Sequence, residues 1–282
     1  MITRIIPRLD IKGPNLVKGI SLEGLRVLGK PADFAKHYFE GGADELLYMD
    51  VVASLYERNS LHDIIEATAN EVFIPLTVGG GIRNLEDIKN ALRAGADKVL
   101  INTAAIKNPN FIQEAALKFG SSTIVVALEI IREGHGDYFC FIDNGREFTG
   151  IQALEWAKKV QSLGAGEIVI TSVDRDGTGK GFENNLIKSI VKELSIPVIV
   201  HGGCGSIEHV KEAYLEETEI DGFCIASMFH YDFLKNYNIH EQTFVEGNID
   251  FIRKGAHPKN ISPDNIHNLK TYLKNNNINI RI

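Results

Sequence analysis

The sequence predicts an α/β fold, a (β/α)8 TIM barrel with a two-fold half-barrel repeat. Eight short runs rich in β-branched residues alternate with amphipathic helical stretches, which is typical of parallel strands joined by helices. The strand ends are evenly spaced along the chain. A glycine cluster also recurs, as GGG at 79–81 and GGCG at 202–205, with Gly80 and Gly202 standing 122 residues apart. We therefore expect two tandem half-barrels, at about 1–120 and 121–232, within a single barrel over 1–282.

The elements follow in order along the chain. Strands are predicted to end at Asp10, Asp50, Val78, Asn102, Glu129, Ser172, His201 and Ala226. Helices are predicted over 31–41, 60–70, 85–94, 107–118, 151–163, 184–194 and 206–216. An open doubly wound sheet is the alternative, but it would rarely show eight evenly spaced strands. Residues 136–149 predict a hairpin, turned at Asn144-Gly145, which projects from the fifth strand.

Composition excludes several classes of protein. The formal net charge is −7 and no Lys/Arg run occurs, which argues against a nucleic-acid partner. No apolar run approaches the roughly 18 residues of a membrane span, and the first residues lack a signal-peptide core. The three cysteines share no metal-ligand spacing, so we expect a reduced, cytoplasmic protein with neither metal nor cofactor.

Acidic side chains end two strands on opposite sides of the predicted barrel. Asp10 ends the first strand and Glu129 ends the fifth. Active sites of TIM barrels lie at this C-terminal end of the strands, and paired carboxylates suit a general acid and base. Strand-end acids also commonly cap loops, so the equivalent placement of the two in the repeat is what favours a catalytic pair.

The two glycine clusters are candidate phosphate sites. Glycines ahead of a helix present bare backbone N–H groups, although tight turns also require glycine. Thr103 and Ser227 each follow a strand end and offer a hydroxyl to the two clusters. Two such sites predict a ligand with an anionic group at each end.

A further set of charges is expected at the opposite end of the barrel. These side chains stand at the starts of the first, second, fourth and sixth strands, and they are Arg4, Glu45, Lys98 and Glu167. Buried charges require partners, and two of each sign can form a neutral ring. A salt cluster that only seals the barrel floor is an equally good interpretation at this point.

Longer motifs resemble a known family. RIIPRLDIK, LVKG, DELLYMDVVAS, TVGGGI, GADKVLINTAA, GAGEIVITSVDRDGTGKG and the closing LKTYLKNNNINIRI look like the cyclase subunits of imidazole glycerol phosphate synthase. The resemblance covers residues 1–230 and about the last 20. It implies a lyase and cyclase of histidine biosynthesis. A glutaminase subunit would dock beneath the barrel as a heterodimer, and its ammonia would pass the charged ring to reach a bisphosphorylated substrate.

The resemblance also implies roles for single residues. Asp10 matches the family's general acid or base, and Lys18, in a mobile first loop, would help to close the site. Substrate-binding positions are implied at Asp50, Gly80, Gly81, Asn102, Thr103, Thr171, Asp176, Gly177, Gly202 and Gly203. His201, Ala226 and Ser227 are counted with them around the second glycine cluster.

Three features depart from the family pattern. Glu129 stands where the family has aspartate, so its carboxylate reaches about 1.5 Å farther. His201 replaces a small hydroxyl residue, and a segment at about 233–260 is inserted before the last helix. These departures leave an alternative, an ammonia-delivering barrel for amidination of a surface-polysaccharide sugar. A third possibility is a non-catalytic conduit, for which Asp10 would be dispensable.

Overall fold

A computed structural model describes residues 2–53, 61–134, 136–236 and 257–281. Its strands are β1 (Arg4–Lys12), β2 (Asn15–Ile20), β3 (Glu23–Gly29), β4 (Leu46–Asp50), β5 (Leu76–Gly79), β6 (Lys98–Ile101), β7 (Ile124–Glu133), β8 (Asp137–Ile142), β9 (Glu147–Gln152), β10 (Glu167–Ser172), β11 (Val198–His201) and β12 (Gly222–Ile225). Its helices are α1 (Pro31–Glu40), α2 (His62–Ala69), α3 (Leu85–Ala94), α4 (Thr103–Lys107), α5 (Asn110–Phe119), α6 (Ala153–Ser162), α7 (Asn184–Val191), α8 (Ile207–Glu216), α9 (Ser227–Asn236) and α10 (Ile266–Asn275).

Eight of these strands close into a parallel barrel, which confirms the predicted fold class. The order around the barrel is β1, β4, β5, β6, β7, β10, β11 and β12, and β12 pairs with β1 to close it. Helices lie between successive barrel strands, as right-handed parallel connections require. All eight strands therefore place their C-terminal ends at one mouth and their N-terminal ends at one floor.

Alternation along the strands divides the apolar core in two. The larger cluster packs the helices against the outer face of the barrel. The smaller cluster fills the barrel interior, because its members alternate with the outer residues on the same strands. Its central members are Ile6, Leu47, Leu100, Val125, Val169 and Ile199.

Related bonds recur in the two halves. Asp97 accepts a hydrogen bond from the Leu76 amide at 2.8 Å, and Asp221 accepts one from the Val198 amide at 2.8 Å. Each aspartate thus ties the loop before one strand to the start of the preceding strand. This equivalence agrees with a repeat, while the half-barrel bounds remain a prediction.

The structure differs from the sequence prediction in three features near the mouth: two strand ends, the position of Lys18 and the hairpin. β1 and β7 do not end at Asp10 and Glu129, because antiparallel partners β2 and β8 extend them to Lys12 and Glu133. Lys18 was expected in a mobile loop but lies in β2. The predicted hairpin at 136–149 is instead a three-stranded antiparallel unit of β7, β8 and β9, with its β8–β9 turn at Asp143 to Gly145.

Helix bounds agree with the prediction to within three residues, with one exception. The helix predicted over 107–118 is divided into α4 and α5, because Pro109 disfavours helical geometry at Asn108, where φ is −139° and ψ is 88°. The first residue of the helix predicted at 60–70, and 237–256 of the predicted insertion, lie outside the described residues. None of the described helices has the length and apolar character needed to cross a membrane.

Candidate functional site

The two predicted carboxylates face each other across the barrel mouth. β1 and β7 stand four strands apart in the eight-stranded barrel, so Asp10 and Glu129 lie on opposite sides. Both side chains are buried. A closed parallel barrel brings these residues together although they stand far apart in the chain.

Asp10 belongs to a buried network of opposite charges. Arg8 donates from Nε to Asp10 Oδ1 at 2.7 Å, and Lys18 Nζ lies 3.3 Å from Asp10 Oδ2. Lys18 also donates to Asp176 at 2.7 Å. Burial by itself disfavours the charged form of Asp10, but Arg8 and Lys18 outweigh it and lower the pKa of Asp10. Asp10 is therefore held as a carboxylate.

Glu129 has a different environment. Its Oε2 accepts a hydrogen bond from the Gly145 amide at 2.8 Å, and within the described residues no cation lies within ion-pair distance of it. Burial raises the pKa of Glu129 to about 7, although the Gly145 bond and Arg8 oppose the shift. Glu129 can therefore carry a proton near neutral pH, whereas Asp10 does not.

The first glycine cluster opens into a cleft at the mouth. The cleft has a volume of about 410 Å³ and reaches Glu129. Gly80 has a φ of 92°, and a Cβ there would overlap the carbonyl oxygen of Asp50, so the turn requires glycine. Of the predicted substrate-binding residues, the cleft wall contains Asp50, Gly80, Gly81, Asn102 and Thr103.

Sequence reasoning missed three side chains of this cleft. Arg83 and Lys107 supply positive charge to its wall, and Asp143 contacts the Thr103 hydroxyl, which donates to its Oδ1 at 3.4 Å. Arg83 directly follows the GGGI motif, and Lys107 lies one helical turn beyond Thr103. Their spacing from the cluster was thus a usable signal, whereas Asp143 is brought in by the β8–β9 turn.

The second glycine cluster is closed. Its cavity is only about 10 Å³, near the space for a single water molecule. The cover is β2 with the loop after β10: Ser21 donates its amide to the Asp176 carbonyl at 2.8 Å, and Lys18 pairs with the Asp176 carboxylate. The predicted residues brought together here are Asp176, Gly177, His201, Gly202, Gly203, Ala226 and Ser227. A phosphate would need this cover to move.

His201 lies beneath that cover. Its Nδ1 is 2.9 Å from the Cys224 carbonyl oxygen, which can only accept, so Nδ1 carries the proton. Nε2 lies 3.2 Å from Asp176 Oδ1 but lacks hydrogen-bond geometry. Burial and the charge of Arg8 lower the pKa of His201, with Asp176 opposing. The neutral ring therefore turns its unprotonated Nε2 toward Asp176 inside the second cluster.

Thr171 connects the mouth to the barrel interior. It is buried at the end of β10, and its Oγ1 accepts a hydrogen bond from Arg8 Nη1 at 3.4 Å. Among the predicted substrate-binding residues, Thr171 lies outside the linings of both the cleft and the closed cavity. Its observed contact makes it part of the support beneath Asp10.

The four predicted floor charges form one closed ring. Arg4 lies 2.6 Å from Glu45 and 2.8 Å from Glu167. Lys98 lies 3.0 Å from Glu45 and 3.4 Å from Glu167. Cations and carboxylates thus alternate around the barrel axis. Burial disfavours the Arg4 cation, yet Glu167 and Glu45 raise its pKa, so Arg4 stays charged.

Comparison with known proteins identifies relatives of this chain. The model of the family described as "Histidine biosynthesis protein" matches residues 4–235. A curated relative, "Imidazole glycerol phosphate synthase subunit HisF" from Legionella pneumophila, is 54% identical over 205 residues. That alignment spans 73% of this chain and 97% of the relative. Neither comparison favours the sugar-amidination alternative.

The Gly80 turn generates a test of the open phosphate site. Gly80→Ala should weaken binding of a bisphosphate ligand by about tenfold or more, because a side chain at this backbone angle strains the loop and overlaps Asp50. Gly120→Ala is the control, since Gly120 also has a positive φ of 90° but open space around it. Calorimetric titration of both variants would measure the effect, and equal loss in both would contradict a phosphate site here.

Proposed function

The chain belongs to the histidine biosynthesis protein family, and we propose that it acts as the ammonia-dependent cyclase subunit of an imidazole glycerol phosphate synthase. The observation that carries this proposal is the pair of carboxylates, Asp10 and Glu129, set at one mouth between two glycine clusters. The substrate proposed for it is phosphoribulosyl-formimino aminoimidazole carboxamide ribonucleotide. The products would be imidazole glycerol phosphate and aminoimidazole carboxamide ribonucleotide, which makes the reaction a lyase reaction.

The geometry supports a division of labour between the two ends of the barrel. A phosphate at each end of the substrate would lie on Gly80-Gly81 and Gly202-Gly203, which places the reacting atoms between them, near the two carboxylates. Condensation of ammonia with a carbonyl removes protons from nitrogen and expels oxygen as water, so a base and an acid are both needed. Asp10 and Glu129 offer one of each.

The charged ring suits a supply of ammonia from below. A neutral ring of two cations and two carboxylates excludes bulk ions while its members remain paired. Above it lies the apolar interior of the barrel. We propose that ammonia from a glutaminase subunit enters through this ring, with Arg4, Glu45, Lys98 and Glu167 as its gate.

Exposed apolar residues favour the floor face for that partner. Six large apolar side chains are exposed in the described residues. Four of them lie just before a barrel strand or in the last turn of a helix that leads to one, hence on the floor side: Ile2, Phe73, Leu117 and Leu215. Phe73 is 77% exposed. The proposal therefore includes a heterodimer through the floor, in the cytoplasm, where the three buried free cysteines would stay reduced.

The catalytic proposal predicts turnover without the partner. Given ammonium salt at alkaline pH, the purified chain should convert the bisphosphate ribonucleotide. Asp10→Asn should lower kcat by about 10²- to 10⁴-fold with KM nearly unchanged, because it removes a proton-transfer group. Asp137→Asn, at an exposed position in β8, is the control. If Asp10→Asn retains full activity, the chain is a conduit; if wild type is inactive, the cyclase proposal fails.

The gate proposal predicts an uncoupled variant. Lys98→Met leaves Glu45 and Glu167 with Arg4 alone, so glutamine-driven turnover in the heterodimer should fall several-fold more than ammonium-driven turnover. Lys270→Met is the control for general loss of stability, since Lys270 forms a buried ion pair with Asp44 at 2.8 Å elsewhere in the fold. Equal loss in both assays for Lys98→Met would make the ring purely structural.

The docking proposal predicts a face-specific effect. Phe73→Ser should raise the Kd for the glutaminase subunit by about tenfold, because it removes a large apolar side chain from the floor face. Phe148→Ser is the matched control, as Phe148 is 55% exposed on β9 at the mouth side. Biolayer interferometry with both variants would decide it, and a stronger effect of Phe148→Ser would move the interface to the mouth.

A further inference from the structure

An arginine inside the barrel, Arg8, has no step of its own in the proposed reaction. Arg8 lies on β1 two residues before Asp10, and strand alternation puts Ile6, Arg8 and Asp10 on the inward face. Its side chain is only 3% exposed. Barrel interiors are normally filled by branched apolar side chains, so a buried guanidinium at this level needs a reason.

The contacts of Arg8 orient its guanidinium toward the carboxylate of Asp10. Nε donates to Asp10 Oδ1 at 2.7 Å, and Nη1 donates to Thr171 Oγ1 at 3.4 Å on β10. The guanidinium is therefore held from two strands, and it fixes one Asp10 oxygen. Lys18, on β2, approaches the other oxygen from above at 3.3 Å.

Other charged and titratable groups around Asp10 come from every neighbouring element. Asp176, in the loop after β10, repels the Asp10 charge, and it also pairs with Lys18. His201 on β11, Cys224 on β12 and His230 on α9 face the same network, and burial keeps all three toward their neutral forms. Arg8 is thus the cation nearest to Asp10, and Lys18 is shared between two carboxylates.

Glu129 lacks such a partner. Its one partner among the described hydrogen bonds is the Gly145 amide. Asn102 and Asp143 are its other polar neighbours, and Arg8 acts on it only from beyond ion-pair distance. The two mouth carboxylates therefore differ in one physical respect: Asp10 has a cation within hydrogen-bond distance and Glu129 does not. Unlike environments of this kind assign unlike protonation states to a carboxylate pair.

We propose that Arg8 is a positioning residue that holds Asp10 ionised and oriented, so that Asp10 is the base and Glu129 the proton donor of the cyclase. This inference rests on the proposed function for the identity of the reaction. Asp10 accepts a proton from the ammonia nitrogen as it bonds to the substrate carbonyl carbon. Glu129 gives its proton to the carbonyl oxygen, which becomes a hydroxyl. The hydroxyl leaves as water when it takes a second proton, the one that Asp10 received, while the nitrogen loses its own second proton to Glu129 and a C=N bond forms.

The test compares Arg8→Met, which keeps length and removes charge, with Arg8→Lys. Ammonium-driven kcat is measured from pH 5.5 to 8.5 and expressed as the ratio of variant to wild type, which cancels the titration of ammonia itself. The ratio for Arg8→Met should be lowest at acidic pH and rise by about tenfold toward alkaline pH, since an unpaired buried Asp10 holds its proton longer. Arg8→Lys should restore a flat ratio, and Arg93→Met on exposed α3 should be flat throughout.

A second measurement needs no turnover. An Asp10 whose pKa is lowered in the folded state stabilises the protein above its unfolded pKa, and this stabilisation is lost as pH falls through the folded pKa. Without Arg8, burial raises the folded pKa of Asp10 above its unfolded pKa, so ionised Asp10 destabilises the folded state as pH rises through that raised pKa. The Tm deficit of Arg8→Met should therefore be larger at pH 7.5 than at pH 5, and this difference should vanish when both proteins carry Asp10→Asn.

The outcomes separate the two proposals. A pH-independent ratio together with a pH-independent Tm deficit overturns the role of Arg8 while leaving the cyclase intact. An inactive wild type overturns the cyclase, and the Tm series then still decides whether Arg8 controls the charge of Asp10. If Arg8→Met fails to fold, the double variant with Asp10→Asn should recover folding, because no buried charge is left unpaired; continued failure counts against the proposal.

Discussion

A charge inside a closed barrel must find its partner there, and this constraint organises both ends of the molecule. At the floor, Arg4 and Lys98 alternate with Glu45 and Glu167 in one ring. At the mouth, Arg8 and Lys18 compensate Asp10 and Asp176. Between them the interior is apolar. Because removal of one partner leaves the others buried and unpaired, neither network tolerates single losses easily.

The same constraint explains why the mouth is asymmetric. The side that holds Asp10 is crowded with cations, and β2 covers it, so the second glycine cluster has almost no free volume. The side that holds Glu129 has few charges within reach of its carboxylate and opens into the larger cleft. The two glycine turns thus differ, since one lines an open cleft and the other lies beneath a cover.

Glu129 and His201, which the resemblance suggested as departures from the family pattern, lie on the two different sides of this mouth. Glu129 is long enough to reach the Gly145 amide of the β8–β9 turn. His201 fills the second cluster with a ring whose Nδ1 is committed to the Cys224 carbonyl. Both side chains change how the site is filled, while the two glycine turns keep the positive φ angles that favour glycine.

What the sequence by itself determined was local and periodic. Alternating strands and helices predicted the barrel. Clustered glycines predicted the two tight turns, and acidic residues near the strand ends predicted the catalytic mouth. The balanced charges at the strand starts predicted the floor ring, because a closed barrel brings strand starts together. These features depend on spacing along one chain, so a sequence records them directly.

Only the tertiary structure decided which groups touch. Arg8 contacts Thr171 on β10 only because the barrel is closed, and Lys18, expected in a loop, reaches Asp10 because β2 pairs with β1. The raised pKa of Glu129 and the closure of the second cluster arise from burial by segments distant in sequence. Burial and distance set these charges, and neither quantity exists until the barrel closes.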